Sequence, residues 1–207
     1  MLYAAPMKLA AVFGVDSQLL VAMIPRLVQA CLAAVGDIAA AHLYLRILGA
    51  QRGMWAYAMH MLNFFMLTAY VRPFSNCAEA VFFWVALAAW PAPCIEGSPS
   101  QRTFDWQSAP AASRWGVVLA ATMGGLSIAL RPTAVVPWAF LGLALLAQQA
   151  SCLSAAKLAG AAGTAAALAV TTGVGVDTFL YGGEGPSFVL WNFLEFNMSA
   201  GAAALYG

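Results

Sequence analysis

The chain has 207 residues, of which 63% are hydrophobic and only 8% are charged, and its formal net charge is +1. Because a soluble domain carries about 25% charged residues, this composition excludes an ordinary soluble fold and predicts an all-α polytopic membrane protein. The near-zero net charge gives no nucleic-acid signal. We therefore expect the membrane, and no nucleic acid, as a partner.

Six apolar segments separated by polar turns predict about six transmembrane helices in one membrane domain over residues 1–207. The predicted spans cover about residues 18–45, 54–71, 77–90, 115–130, 134–149 and 155–176. We predict a short helix or loop for residues 1–17, a polar surface loop for 93–114, and a loop with a re-entrant or surface helix for 177–207. The sequence starts without a signal peptide and stops without a polar tail, so we expect a fragment at both ends.

Alternation of the six spans assigns each loop to one membrane face. One face collects the loops 46–53, 93–114 and 150–156, with Arg46, Arg52, Arg102, Arg114 and Lys157. Because basic residues mark the cytoplasmic side, this face is predicted to be cytoplasmic. The opposite face, lumenal or extracellular, collects Asp16, Asn76, Glu79, Asp177, Glu184, Asn192, Glu195 and Asn197. A functional site is therefore expected on the non-cytoplasmic face.

Arg131 interrupts the apolar sequence between the fourth and fifth predicted spans, and Pro132 follows it directly. An arginine at this depth can snorkel to the interface without binding a ligand. It can also bind a phosphate at the height of the lipid headgroups, because its forked donors are always charged. Arg72 lies in a second turn of this kind, which favours the phosphate interpretation.

The turn that begins at Arg72 also allows two interpretations. Ser75 or Asn76 can cap the third helix with a side-chain oxygen, and Glu79 then lies in the first turn, where the helix dipole favours a negative charge. Alternatively, Arg72 and Asn76 line a polar pocket for an anionic or sugar ligand.

Polar residues also follow the sixth predicted span. Asp177 lies at the membrane boundary, where an acid can simply be solvated. Further along, Asn192, Glu195 and Asn197 alternate with aromatic residues. Aromatic residues at an interface form a belt by default. Together with amides they also suit carbohydrate, because sugar C–H faces stack on rings while hydroxyls pair with Asn and Glu.

The cysteines and histidines give no sign of a metal site. The four cysteines show no CxxC spacing, so they are predicted to be small core residues rather than a disulfide frame. His42 and His60 are far apart and have no acidic or cysteine partner at ligand spacing. We expect neither a metal nor a cofactor.

Several motifs occur in a fixed order along the chain. Residues 72–79 look like a TRT-SN--E element, with Pro73 in place of its arginine-or-threonine region, and residues 131–138 look like an RPTA-x-x-x-W turn. Residues 177–182 are similar to D-S-x-x-Y-G, and residues 191–197 to FNFLKFN. With these motifs the chain resembles the dolichyl-phosphate-mannose-dependent mannosyltransferases of the endoplasmic reticulum, glycosyltransferase family 22 of the GT-C class.

The resemblance implies a GT-C fold and transfer of mannose from dolichyl-phosphate mannose to a glycolipid on the lumenal side, without a metal. It is strongest to the GPI-anchor branch, in which the third mannose joins a dimannosyl precursor through an α1,2 bond. By the same resemblance, Arg72 and Arg131 would bind the donor phosphate. The side chains that would line the pocket or bind the acceptor are Asn76, Glu79, Asp177, Asn192, Glu195 and Asn197.

One departure from the family concerns catalysis. The family carries its presumed catalytic acid in a His-Pro-Asp-Glu motif of a first lumenal loop, and this sequence contains no such motif. The general base that would activate the acceptor hydroxyl is therefore not assigned to any residue. Three alternatives stay open: a mannosyltransferase of the lipid-linked N-glycan precursor, a non-catalytic truncated membrane protein, and a secondary transporter. A transporter would carry polar residues at mid-membrane and a repeat between its halves.

Overall fold

The computed structural model describes residues 4–14, 17–63, 70, 72, 75–91 and 104–181. The regular structure of this part of the chain is helical, which confirms the all-α prediction. The elements are α1 (Ala4–Val12), α2 (Gln18–Met61), α3 (Ser75–Ala89), α4 (Ala111–Leu130), a 3-10 helix (Pro132–Ala134), α5 (Val135–Ala147) and α6 (Cys152–Tyr181).

Helix α2 reverses its direction at Gly49, whose φ of 78° and ψ of 172° are not helical. The residues before Gly49 form a first limb and those after it a second limb. Gly53 of the second limb packs closely on the first, because a Cβ atom added to it would lie 2.8 Å from the carbonyl oxygen of Tyr44. The side chains of Asp37 and His60 lie 4.0 Å apart, although a straight helix would separate these positions by about 35 Å. Element α2 is therefore a helical hairpin, with its turn inside the predicted loop 46–53.

Helices α3, α4 and α6 form a row that starts beside this hairpin. Helix α3 packs against α2 and α4, α4 packs against α6, and α5 contacts both α4 and α6. Helices α4 and α6 approach closely, because a Cβ on Gly125 would lie 2.5 Å from the carbonyl oxygen of Ala166 and 2.9 Å from the Cβ of Ala169. Small side chains at these positions allow close helix packing.

Hydrogen bonds gather several loops at one end of the bundle, which we call the loop end. Arg46 donates to the carbonyl oxygens of Ala88, at 2.8 Å, and Trp90, at 3.3 Å. The amide of Gln149 donates to the carbonyl oxygen of Phe104 at 2.9 Å. Trp90 also packs against the cluster that contains Phe104, so Arg46 and Phe104, from loops predicted on one face, lie at the same end. Its cytoplasmic orientation stays a prediction.

Three helical elements contain a stretch long and apolar enough to cross a membrane: the α2 hairpin (Gln18–Met61), Ala111–Leu130 and Cys152–Phe179. Two further apolar helices, Asn76–Ala89 and Pro132–Ala147, are shorter. These helices confirm a polytopic membrane protein, whereas the count of six spans stays a prediction.

Two predicted loop boundaries are wrong. Helix α6 continues through Asp177 to Tyr181, because no glycine or proline breaks the chain between Asp177 and Gly182. Helix α4 begins at Ala111, inside the predicted loop 93–114, because Pro110 stands at its N-cap.

Candidate functional site

An ion pair connects helix α3 with the end of helix α4. Nη1 of Arg131 lies 2.9 Å from Oε2 of Glu79, and the two side chains are 37% and 22% exposed. Within the part of the chain that the structure describes, Glu79 is the one side chain that accepts a hydrogen bond from Arg131. A guanidinium has five N–H donors, so most donors of Arg131 are left for another acceptor at this surface.

The local sequence places Arg131 at the end of α4. Its backbone is extended, with φ of −147° and ψ of 114°, and its N–H donates to the carbonyl oxygen of Ser127 at 2.8 Å. Pro132 then starts the short 3-10 helix, where a missing N–H costs nothing and the fixed φ suits the turn. The chain thus bends sharply at Arg131 and directs its side chain toward α3.

Glu79 does not lie in the first turn of α3, where one interpretation of the sequence placed it. Helix α3 begins at Ser75, and its first turn contains no acidic residue. The predicted dipole interaction of Glu79 in the first turn is therefore wrong, because this residue lies one turn further into the helix. Its carboxylate binds Arg131 of a neighbouring helix end instead.

Near this ion pair, Trp138 of α5 packs against both α3 and α4. Its ring meets Phe83 of α3 edge to face, with 5.5 Å between the ring centroids. On α4, a Cβ added to Gly124 would lie 3.0 Å from the Trp138 ring. Sequence reasoning assigned no role to Trp138, although it closes the motif that begins at Arg131. That motif was the available signal.

The structure describes three of the six remaining predicted site residues, which are Arg72, Asn76 and Asp177. Arg72 is exposed just before α3, and Asn76 is exposed in its first turn. Asp177 is buried, with 6% of its surface exposed, near the end of α6. From the contact between Gly125 and Ala169, helix rise places Arg131 about 9 Å and Asp177 about 12 Å farther toward the same end of the bundle. Three predicted residues lie outside the described residues: Asn192, Glu195 and Asn197.

A second polar pair, Asp37 and His60, lies inside the bundle and was missed by sequence reasoning. Its side chains are 21% and 9% exposed, so both are shielded from the surroundings. An acid and a histidine in two adjacent apolar spans were a signal, but their meeting depends on the reversal at Gly49.

Residues suited to metal binding do not cluster in the described part of the chain. Within it, no group contains three or more His, Cys, Asp or Glu residues that could hold a metal ion. The expectation of a reaction without metal or cofactor stays a prediction.

The comparison with protein families places these motifs in one context. The model of the Alg9-like mannosyltransferase family matches residues 1–207, which is the whole chain. The chain belongs to the Alg9-like mannosyltransferase family. Membership confirms the resemblance that the motifs around Arg72, Arg131 and Asp177 carry.

Three curated mannosyltransferases are similar to the chain, and two of them are named GPI mannosyltransferases. Mannosyltransferase APTG1 of Arabidopsis thaliana is 34% identical over 69% of the chain and 24% of its own length. GPI mannosyltransferase 3 of Yarrowia lipolytica is 32% identical over 94% of the chain and 34% of its own length. GPI alpha-1,2-mannosyltransferase 3 of Xenopus laevis is 26% identical over 100% of the chain and 35% of its own length.

The chain thus spans about a quarter to a third of the length of these Alg9-like relatives. No solved structure matches the chain.

Proposed function

We propose that this chain forms part of a mannosyltransferase of GPI-anchor synthesis. The enzyme would move mannose from dolichyl-phosphate mannose to the GPI precursor, as the third, α1,2-linked mannose, at the lumenal face of the endoplasmic reticulum membrane. Family membership over the whole chain and relatives named GPI mannosyltransferase 3 support this proposal. The apolar helices suit a reaction whose donor and acceptor are both lipids.

The ion pair between Arg131 and Glu79 is the observation that carries the proposed site. Arg131 ends a helix long enough to cross the membrane, so its side chain would lie near the lipid headgroups. One donor is bound by Glu79 and the side chain is 37% exposed. Glu79 therefore fixes the guanidinium, while the remaining donors bind the donor phosphate in the forked geometry that arginine favours.

This arrangement suits the charge that develops during mannosyl transfer. The bond from mannose C1 to the phosphate oxygen breaks while a bond forms from C1 to the acceptor oxygen. The acceptor hydroxyl loses its proton to a general base, which is not assigned to a residue of this chain, and dolichyl phosphate leaves. Because negative charge grows on the leaving phosphate, a cation fixed beside it lowers the barrier.

The other predicted residues would act around this centre. Arg72 offers a second cation at the same end, and Asn76 and Asp177 would line the pocket or bind the acceptor. Asn192, Glu195 and Asn197 keep the pocket or acceptor role that the resemblance implies, and this role stays a prediction.

The principal alternative is a mannosyltransferase of the lipid-linked N-glycan precursor, since the matching family model is described as Alg9-like. The same ion pair would serve that reaction, because the donor lipid would be the same. The two functions differ in the acceptor glycolipid, so the accumulating intermediate distinguishes them.

Disruption of the gene that encodes this chain in its own host tests the proposal. Lipids labelled with radioactive mannose would be separated and the glycolipid intermediates identified by their number of mannoses. We expect a GPI precursor with two mannoses to accumulate, and the wild-type gene to restore the third.

Three other outcomes contradict the GPI assignment in different ways. Accumulation of a truncated N-glycan precursor would assign the chain to the alternative pathway. Normal levels of both glycolipids would identify a non-catalytic membrane protein. Accumulation of a GPI precursor with one or three mannoses would keep the pathway but overturn the proposed step.

A further inference from the structure

Two polar side-chain atoms that face each other inside the α2 hairpin have no hydrogen-bond partner among the described residues. Oδ1 of Asp37 on the first limb faces Nε2 of His60 on the second limb at 4.0 Å, and neither atom has a hydrogen-bond partner there. Polar groups inside a membrane are costly unless they pair. Apolar side chains would join two limbs at lower cost, so an acid and an imidazole at this place need a role.

The spacing of the two atoms allows a direct bond after a small movement. A distance of 4.0 Å exceeds that of an N–H···O hydrogen bond by about 1 Å. A rotation of the imidazole closes this gap, or one water molecule bridges it. Either way, the contact is directional, unlike the apolar packing around it.

Aromatic rings enclose His60 on its other sides. The ring of Trp84 on α3 meets it edge to face at 5.2 Å, Tyr44 lies at 5.8 Å and Tyr57 stacks on it at 6.3 Å, measured between ring centroids. Trp84 also contacts Tyr44 at 5.7 Å. Among the described residues, the titratable groups that face His60 are therefore Asp37, Tyr44 and Tyr57, and Trp84 is the contact with the next helix.

Helix α3 connects this interior pair to the surface ion pair. Trp84 lies about 8 Å along the helix axis from Glu79, on the same rigid element. Phe83, its neighbour, packs on Trp138 of α5. A shift of Trp84 would therefore move α3 as a unit and displace the Glu79 carboxylate from Arg131.

We propose that Asp37 and His60 are positioning residues for the Arg131 site. By holding each other inside the membrane they fix Trp84, and through α3 they fix the carboxylate that orients Arg131. Their effect on donor binding rests on the proposed function. Their mechanical coupling to Glu79 does not, so the two are tested separately.

The first test measures that coupling without any substrate. The intact protein in detergent would be melted as wild type, His60→Leu, Glu79→Gln and the double variant. Distant residues without shared partners have additive effects, whereas positioning predicts that the double variant loses less melting temperature than the two single losses combined. His42→Leu is the matched control, because His42 is an exposed histidine on the first limb of the same hairpin, and its effect should add to that of Glu79→Gln.

The second test examines the pair itself. Asp37→Leu and His60→Leu should each lower the melting temperature. The exchanged variant, Asp37→His with His60→Asp, should recover most of that loss, because it keeps one acid and one imidazole at the same separation. If the leucine variants do not fold, Asp37→Asn and His60→Gln replace them in the same measurements.

The third test measures mannose transfer per folded protein. His60→Leu should raise the KM for the lipid donor about tenfold, corresponding to about 1.4 kcal/mol, with a smaller change in kcat. The exchanged variant should restore the KM, which a merely stabilising contact would not require, and His42→Leu should leave the KM unchanged.

Several results would overturn the positioning role. They are additive effects of His60→Leu and Glu79→Gln, equal effects of His60→Leu and His42→Leu, and no recovery in the exchanged variant. If the wild-type protein transfers no mannose, the proposed function fails, and the melting experiments alone decide whether the pair is coupled to Glu79.

Discussion

Arg46 and Arg131 lie near opposite ends of the bundle, and one binds backbone carbonyls whereas the other binds a carboxylate. Arg46 donates to two backbone carbonyls in and just past the last turn of α3, where a cation complements the helix dipole. Arg131 donates to a carboxylate and keeps 37% of its side chain exposed. A membrane arginine that caps a helix is thus satisfied by the fold, whereas one oriented by an acid retains donors for a ligand.

The largest predicted effect is the loss of mannose transfer when Arg131 is replaced. Arg131→Ala should reduce mannose transfer about 100-fold, since hydrogen bonds to a charged group are worth up to about 3 kcal/mol. Arg131→Lys should restore part of the loss, because it keeps the charge but not the fork. Transfer would be assayed in membranes with equal amounts of folded protein, and wild-type activity in Arg131→Ala would exclude the phosphate role.

Arg46 is the matched control, and its loss should affect stability instead. Arg46→Ala leaves the carbonyl oxygens of Ala88 and Trp90 without these bonds, which should cost about 2 kcal/mol of unfolding free energy. Thermal unfolding in detergent measures that loss. Mannose transfer per folded molecule should stay at the wild-type level, and a selective loss of transfer would show that the two ends do not differ as argued.

The sequence predicted the opposite placement of Arg46 and Arg131 but not their partners. Hydropathy and the polar turns identify the membrane class and the reversal near Gly49, because these depend on local composition. Arg131 and Glu79 were both singled out, yet they are 52 positions apart, and their pairing depends on how α3 packs against α4. Local patterns do not encode that packing.

The interior pair was missed for a related reason. Along the sequence, His60 has no acidic partner at metal-ligand spacing, and Asp37 lies 23 positions before it. Only the hairpin brings their side chains to 4.0 Å. Three-dimensional contacts between adjacent spans thus carry information that the examination of each span alone does not.

A smaller effect, on stability, is expected from a substitution in α4, the helix that ends at Arg131. Gly125→Ala on α4 places a methyl group 2.5 Å from the carbonyl oxygen of Ala166, and such overpacking costs about 1–3 kcal/mol. Gly160→Ala on α6 is the control, because nothing lies within 4 Å of the added atom. Thermal unfolding should show a loss for the first variant and none for the second, and equal melting temperatures would contradict the close contact of α4 with α6.

The smallest effect concerns Asp105 at the loop end. Its carboxylate accepts hydrogen bonds from the hydroxyl of Ser154 at 2.5 Å and from the backbone N–H of Ser108 at 3.1 Å. The Ser154 bond first, and then the Ser108 bond, lower the pKa of Asp105 from 3.8 to about 2. Because the folded-state pKa lies below the unfolded value, this stabilisation is complete above the unfolded pKa and is lost as the pH falls through about 2.

Asp105→Asn should therefore melt at a lower temperature than the wild type near neutral pH, and the difference should shrink as the pH is lowered toward 2. Ser154→Ala, which removes the strongest of these bonds, should show the same trend. A melting difference that stays constant with pH would mean that the bonds do not depend on the charge of Asp105. Mannose transfer per folded protein should be unchanged in both variants, because the loop end and Arg131 lie at opposite ends of α4.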